Sequence, residues 1–251
     1  MTYNKTVHIL LEPDLLKSAL ADSHPFIAKM ALVLESASFR VEYRLHGDQN
    51  RGDQTYVLSH MKPPPGSRGL VFRRVYEYPF WQIDSSANRW EWDVAKASYD
   101  PATVAGAEAA NFYRAWQKRL YGDAPQNLSS EGIVYVPLQG KLHEKRSFQL
   151  CSPIEMLEHC LAHDLGRKVI ATIHPNETYS ASEIAALDQL ERQNSRLRVE
   201  VGGMIPLLQT CDYVVTQNSS VAFAGYFFGK PALLFGKIDF HHIAITADMA
   251  R

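Results

Sequence analysis

From residue 132 onward the chain alternates between short apolar runs and amphipathic stretches, and this alternation constrains the fold more than any other feature. "IVYVPL" is followed by "SPIEMLEHCLAH", where Ile154, Leu157, Cys160 and Leu161 recur on one helical face. Next come "VIATI" and the helical "SASEIAALDQLERQ", with Ser180 or Ser182 in cap position. "LRVEV", a short apolar helix around "MIPLLQTC", "YVVTQ", a helix over 220–228 and "PALLFG" complete the series. Apolar strands separated by helices are what a parallel sheet covered on both faces requires. Residues 126–251 are therefore expected to form a Rossmann-like α/β domain with five strands. Periodicity does not encode the order of those strands.

The first half is less regular, yet it reads as a second α/β domain over residues 1–125. "TVHILL" has the length of a first strand, and "HPFIAKMALVLESA" is an amphipathic helix. "FRVEYRL", "TYVLSHM" and "LVFRRVYEY" read as further strands, with the turn-rich "KPPPGSRG" before the last. An aromatic stretch holding Trp81, Trp90 and Trp92 suits an irregular hairpin and also a sugar-stacking surface; packing is the simpler role. A helix "GAEAANFYRAWQKRLY" closes this half, and the polar segment 122–132 reads as the linker. Two such domains make a cleft, and ligands of open parallel sheets bind beyond the carboxyl ends of the strands.

Composition narrows the partners. A formal net charge of -1 offers no global field for nucleic acid or an anionic membrane. Cys151, Cys160 and Cys211 form no metal-ligand or CxxC spacing, and such a sparse odd set fits a reducing compartment. The N-terminus lacks the pattern of a signal peptide, and no run approaches the roughly 20 apolar residues of a membrane span, so the expectation is a cytoplasmic protein.

The chemistry concentrates at strand ends. After "IVYVPL" come Gln139, Gly140, Lys141, His143, Glu144 and Lys145; after "VIATI" come His174 and Pro175; after "LRVEV" come Gly202 and Gly203; after "YVVT" come Gln217, Asn218, Ser219 and Ser220. In a parallel sheet these groups face one edge. Serine at a helix start is first an N-cap, and the same N–H groups and hydroxyls form an anion site. An imidazole after a strand is more often a turn residue than a ligand contact, so it is the joint pattern that points to a phosphate.

Residues 134–240 carry, in order, "VPLQ" with a charged loop, "SPIEMLEH", "HP" after a strand, "TQNSS" and "GKPALLFG". In this the chain resembles the bacterial capsular polysaccharide synthesis glycosyltransferases, the retaining β-Kdo transferases; the His-Pro and paired-serine elements are also similar to those of bacterial sialyltransferases. The resemblance implies a GT-B architecture, with two Rossmann-like domains facing a cleft, an acceptor-side domain in 1–125 and a nucleotide-sugar domain in 126–251. It implies transfer of Kdo or a related acidic sugar from a CMP-activated donor to an oligosaccharide or glycolipid acceptor of a surface polysaccharide. No cofactor or metal is implied, and peripheral membrane association would come through the acceptor. His174 with Pro175 would contact the CMP phosphate, and Asn218, Ser219 and Ser220 would hold it from the helix start. Gln139 would lie at the donor end, and Glu144 falls near an acidic residue of the family, displaced by about one position. His174 and Glu144 would be catalytic. Leaving-group charge develops on the phosphate, and a preorganised donor there is worth several kcal/mol; an imidazole can supply it neutral or charged.

There is one departure. The family usually carries a glutamate for the ribose hydroxyls four or five residues after the serines, where this chain has Ala224. His241 and His242 are candidate substitutes. The departure keeps two alternatives open: a GT-B-like scaffold protein without turnover, and an enzyme using a UDP-sugar.

Overall fold

The computed structural model describes residues 5–48, 55–77 and 80–247. Sequence readings that touch residues 1–4, 78–79 and 248–251 lie outside the described residues. The chain divides into two compact units, Met1–Asp93 and Val94–Arg251, each with its own sheet.

The first unit runs β1 (Lys5–Leu11), α1 (Pro13–Leu20), α2 (Pro25–Ser36), β2 (Phe39–Leu45), β3 (Tyr56–His60), β4 (Gly69–Arg74) and β5 (Trp81–Asp84). Its strand order is β2-β1-β3-β4-β5. The first four strands are parallel, and β5 returns antiparallel to β4. Val7, Ile9 and Leu11 of β1 share one face of the strand and pack with Ile27 and Met30 of α2, Leu58 and Phe72. Both helices begin with proline in the first turn, where its missing N–H costs nothing. The aromatic stretch is mainly a packing element. Trp92 is fully buried and donates its indole N–H to the Ser86 carbonyl at 2.8 Å, and Trp81 stacks on Phe26 at 4.3 Å.

The short helix α3 (Asp93–Lys96) spans the junction of the units, and the second unit continues with α4 (Gly106–Tyr121). Helix α4, which the sequence grouped with the first half, lies in the second unit. Tyr113 donates to the Tyr226 carbonyl at 3.0 Å and its ring stacks on Phe227 at 5.5 Å. The compact units thus divide before the polar segment 122–132, because α4 finds its aromatic partners downstream of it.

Then follow β6 (Ile133–Pro137), α5 (Pro153–His163), β7 (Lys168–Ile173), α6 (Ala181–Gln193), β8 (Leu197–Val201), α7 (Met204–Thr210), β9 (Tyr213–Thr216), α8 (Ser220–Phe227), β10 (Ala232–Leu234) and β11 (Ile245–Thr246). All pairings are parallel, in the order β11-β10-β9-β6-β7-β8. Counting strands within this unit, that is the 3-2-1-4-5-6 order of doubly wound dinucleotide-binding sheets. The sixth strand, β11, is two residues long, too short for hydrophobic periodicity to reveal. Strand β6 is buried along its whole length, as a central strand covered on both faces must be. Helices α5 and α6 open with complete capping boxes, Ser152–Glu155 and Ser180–Glu183, which satisfy donors the first turn leaves free.

Candidate functional site

The chain winds from β6 outward to β8, then returns to β9 on the other side of β6. The carboxyl ends of β6 and β9 therefore form the topological switch point of this sheet, with β7 beyond β6. The three ends are level. Pro137 pairs with Thr172 across β6 and β7, and the Leu138 amide donates to the Thr172 carbonyl at 2.8 Å. Across β6 and β9 the Thr216 hydroxyl donates to the Pro137 carbonyl at 3.0 Å. Gln139, His174 and Asn218 each follow this row by two residues.

His174 is exposed and opens a turn. Pro175 sits at the second position, where its fixed φ is preorganised, and the Glu177 amide donates to the His174 carbonyl at 3.2 Å. The Asn176 amide donates to Nδ1 of His174 at 3.2 Å. Nδ1 is thus an acceptor, and in the neutral ring the proton lies on Nε2, facing away from the turn. The His174 amide donates to the Tyr179 hydroxyl at 3.0 Å, which donates to Glu177 at 3.1 Å. Glu177 also accepts the Gly140 amide at 2.5 Å, so one carboxylate joins the His-Pro turn to the loop after β6.

That loop is fixed at several points. Glu183, buried at the start of α6, accepts the Leu142 amide at 2.5 Å and the Ser180 amide at 2.8 Å. The Ser180 amide, then the Leu142 amide and the Ser180 hydroxyl, hold its carboxyl below the usual range against the opposing effect of burial. Farther on, Gln149 bridges to Gly236, and Gln217 donates from Nε2 to the Cys151 carbonyl at 2.9 Å. Gly140 has φ +69°, and a Cβ there would stand 3.1 Å from a terminal nitrogen of Arg146. The Arg146 guanidinium therefore lies against the backbone of the switch-point loop, over the Phe148 ring at 4.8 Å. It has no carboxylate partner among the described residues, and its Nε is buried without a hydrogen bond.

At the β9 end, Ser219 is fully buried and is the N-cap of α8, its Oγ accepting the Val221 amide at 3.3 Å. Ser220 opens the helix and is exposed. Ala224 is buried on α8 among apolar neighbours.

The structure thus brings Gln139, His174, Pro175, Asn218, Ser219 and Ser220 to one edge of one sheet. Glu144 stands apart from their hydrogen-bond network. It is exposed and paired with Lys141 at 2.8 Å. His241 donates from its ring to the Ile238 carbonyl, three residues back. The three cysteines are buried thiols; burial pushes Cys160 up to about 12 and Cys211 up to about 11. Sequence reasoning missed Glu177, Glu183 and Arg146. Only Glu183 had a legible signal, the Ser-x-x-Glu spacing of a capping box. Among the described residues no helix is long and apolar enough to cross a membrane.

No protein-family model and no curated protein matches the sequence. Solved structures do match. The chain is similar to the β-Kdo 2,7 transferase of Thermosulfurimonas dismutans KpsC, with a TM-score of 0.59 at 12% identity over 98% of this chain and 84% of that one. It is similar to the β-Kdo 2,4 transferase of the same KpsC, with a TM-score of 0.56 at 14% identity over 99% and 85%. At such identities the likeness is one of fold: this chain is a mixed α/β protein with two largely parallel sheets, built like these glycosyltransferases.

Proposed function

We infer that the protein is a glycosyltransferase of GT-B type that moves Kdo or a related acidic sugar from a CMP-activated donor to an oligosaccharide or glycolipid acceptor of a surface polysaccharide. The acceptor-side domain is the N-terminal one, and residues 126–251 hold the nucleotide-sugar. The observation that carries this reading is the level row of strand ends at the switch point of the second sheet, from which His174 and the start of α8 look out.

Strands β7 and β9 lie two spacings apart, roughly 10 Å. A phosphate between them is within reach of the His174 ring on one side and of the first N–H groups and Ser220 hydroxyl of α8 on the other. The helix start adds partial positive charge and the Nε2–H adds a donor. As the bond from the anomeric carbon to the phosphate oxygen breaks, its electron pair goes to the phosphate, and donors already aimed there stabilise the transition state. Arg146 supplies what an acidic sugar needs, a guanidinium for a carboxylate. Gln139 lies at the donor end. Glu144, released from Lys141, is the candidate acid or base of the loop.

Calorimetry of the full chain with CMP, UDP and GDP tests the reading. CMP should bind most tightly, and His174→Ala should weaken it at least about tenfold, ~1.4 kcal/mol, without unfolding. Preference for UDP would replace the donor class, and absence of nucleotide binding would overturn the enzyme. One observation favours the second reading, a binding or scaffold protein without turnover. The α8 position where the resemblance predicts a ribose-binding glutamate is the buried Ala224.

A further inference from the structure

The first unit has a switch point of its own. Its order β2-β1-β3-β4-β5 takes the chain from β1 to β2 on one side and back to β3 on the other, so the crevice opens between the carboxyl ends of β1 and β3. Two residues meet there. Glu12 follows β1, and His60 ends β3; Oε2 of Glu12 lies 2.7 Å from Nδ1 of His60. His46, following β2, brings Nε2 to 3.4 Å from the other Glu12 oxygen.

The carboxylate can only accept, so Nδ1 of His60 donates and the neutral ring keeps its lone pair on Nε2. Nε2 has no partner among the described residues. Burial alone would raise the Glu12 carboxyl; the His60 hydrogen bond and the local backbone hold it below the usual value, and His60 and His46 add to this once protonated. The dyad is therefore an imidazole acceptor oriented by an ionised carboxylate, an arrangement that a packing role does not need. Phe72 and Trp81 stand beside the ring, at 5.2 and 6.2 Å, and His24 meets Trp81 edge-on at 5.4 Å. His24 and His46 are the other titratable groups around it, with Lys62 acting on His46.

An anion would meet the Glu12 charge, and no cation cage of His, Cys, Asp and Glu is present among the described residues. What fits is a neutral hydroxyl. We propose that the Glu12–His60 dyad is a saccharide-binding site in which His60 Nε2 accepts the hydrogen of a sugar hydroxyl. The choice of a saccharide rests on the glycosyltransferase reading. Sharing that hydrogen makes the sugar oxygen a better nucleophile.

The test is an imidazole proton–nitrogen spectrum of the full chain at about pH 8, where free histidine is neutral. The chain is titrated separately with the methyl glycosides of Kdo, galactose and N-acetylglucosamine, and with CMP. His60 should be protonated at Nδ1, and one glycoside should move its Nε2 signal. Glu12→Gln should weaken that glycoside by about tenfold and leave CMP unchanged. If Glu12→Gln does not fold, His60→Gln is held to the same criteria. A proton on Nε2 in the free protein, no response to any glycoside, or equal affinity in the variant overturns the proposal. The CMP titration fails or succeeds independently, so loss of the donor reading is distinguishable from loss of this site.

Discussion

The hydroxyl of Thr216, at the end of β9, donates to the carbonyl of Pro137, at the end of β6, across 3.0 Å. Thr216 is 1% exposed, so water cannot replace the bond. Thr216→Val keeps the shape and leaves one lone pair of a buried carbonyl without this donor. Stability should fall by about 1–2 kcal/mol in urea unfolding. An unchanged unfolding midpoint would mean that the strand ladder alone sets the two ends level.

The two serines should separate. Ser219 is a buried cap, so Ser219→Ala should cost about 1 kcal/mol of stability. Ser220 is exposed, and Ser220→Ala should leave the melting temperature unchanged. Ser220→Ala should weaken CMP more than cytidine, because the lost contact is to phosphate. Equal weakening of both ligands in calorimetry would take the Ser220 hydroxyl out of the phosphate site.

Arg146 should read the carboxylate of the sugar. Free Kdo should bind the full chain more tightly than its methyl ester, by about tenfold, as expected when a charge-assisted hydrogen bond is lost. Arg146→Ala should abolish that preference while CMP affinity stays within a factor of about two. Ligand-observed resonance measures both, and a variant that keeps the preference assigns the guanidinium to packing on Phe148.

His24 should make the first unit sensitive to mild acid. Its Nδ1 accepts the Ile27 amide at 3.3 Å and caps α2. Burial first, and the charge of His60 after it, lower its affinity for a proton below the ordinary 6.5. The unfolded chain then binds more protons than the folded one as pH drops. The stability from this group is fully present above 6.5 and is lost as pH falls through the lower folded value. His46 adds in the same direction. Asparagine caps as well and does not titrate. His24→Asn should melt like wild type at pH 7.5 and lose less stability at pH 5.5, and parallel melting curves at both pH values would exclude the effect.

Much of the scaffold was legible from residue patterns, because β6, β7 and β9 are short apolar runs, each followed by a helix with a serine cap. The bounds of α4 follow from local signals alone, whereas for α6 those signals leave Ser180 and Ser182 and the structure takes Ser180. What was not legible depends on the third dimension. The 3-2-1-4-5-6 order arises from which helices cover which face, and nothing within a strand records its neighbour. Arg146 reads as one more charge in a polar loop; only the approach to Gly140 singles it out. Glu177 reads as a turn residue, yet it joins two loops separated by 37 positions. Glu12 and His60 are separated by 48 positions and belong to strands whose adjacency no periodicity reveals.

The contact between Gly140 and Arg146 has a bearing on how an alanine scan of this loop will be interpreted. Alanine at 140 would push the guanidinium away and would strain a backbone at φ +69°. A ligand that touches only Arg146 would then report Gly140 as though it were a contact. Pairing the two substitutions resolves the ambiguity. If Gly140→Ala acts through Arg146, it should have no further effect on binding once Arg146 is already alanine, and the two free energies will fail to add by the full value of the glycine. Position 140 would then be a measure of where the cation stands, with no ligand contact of its own.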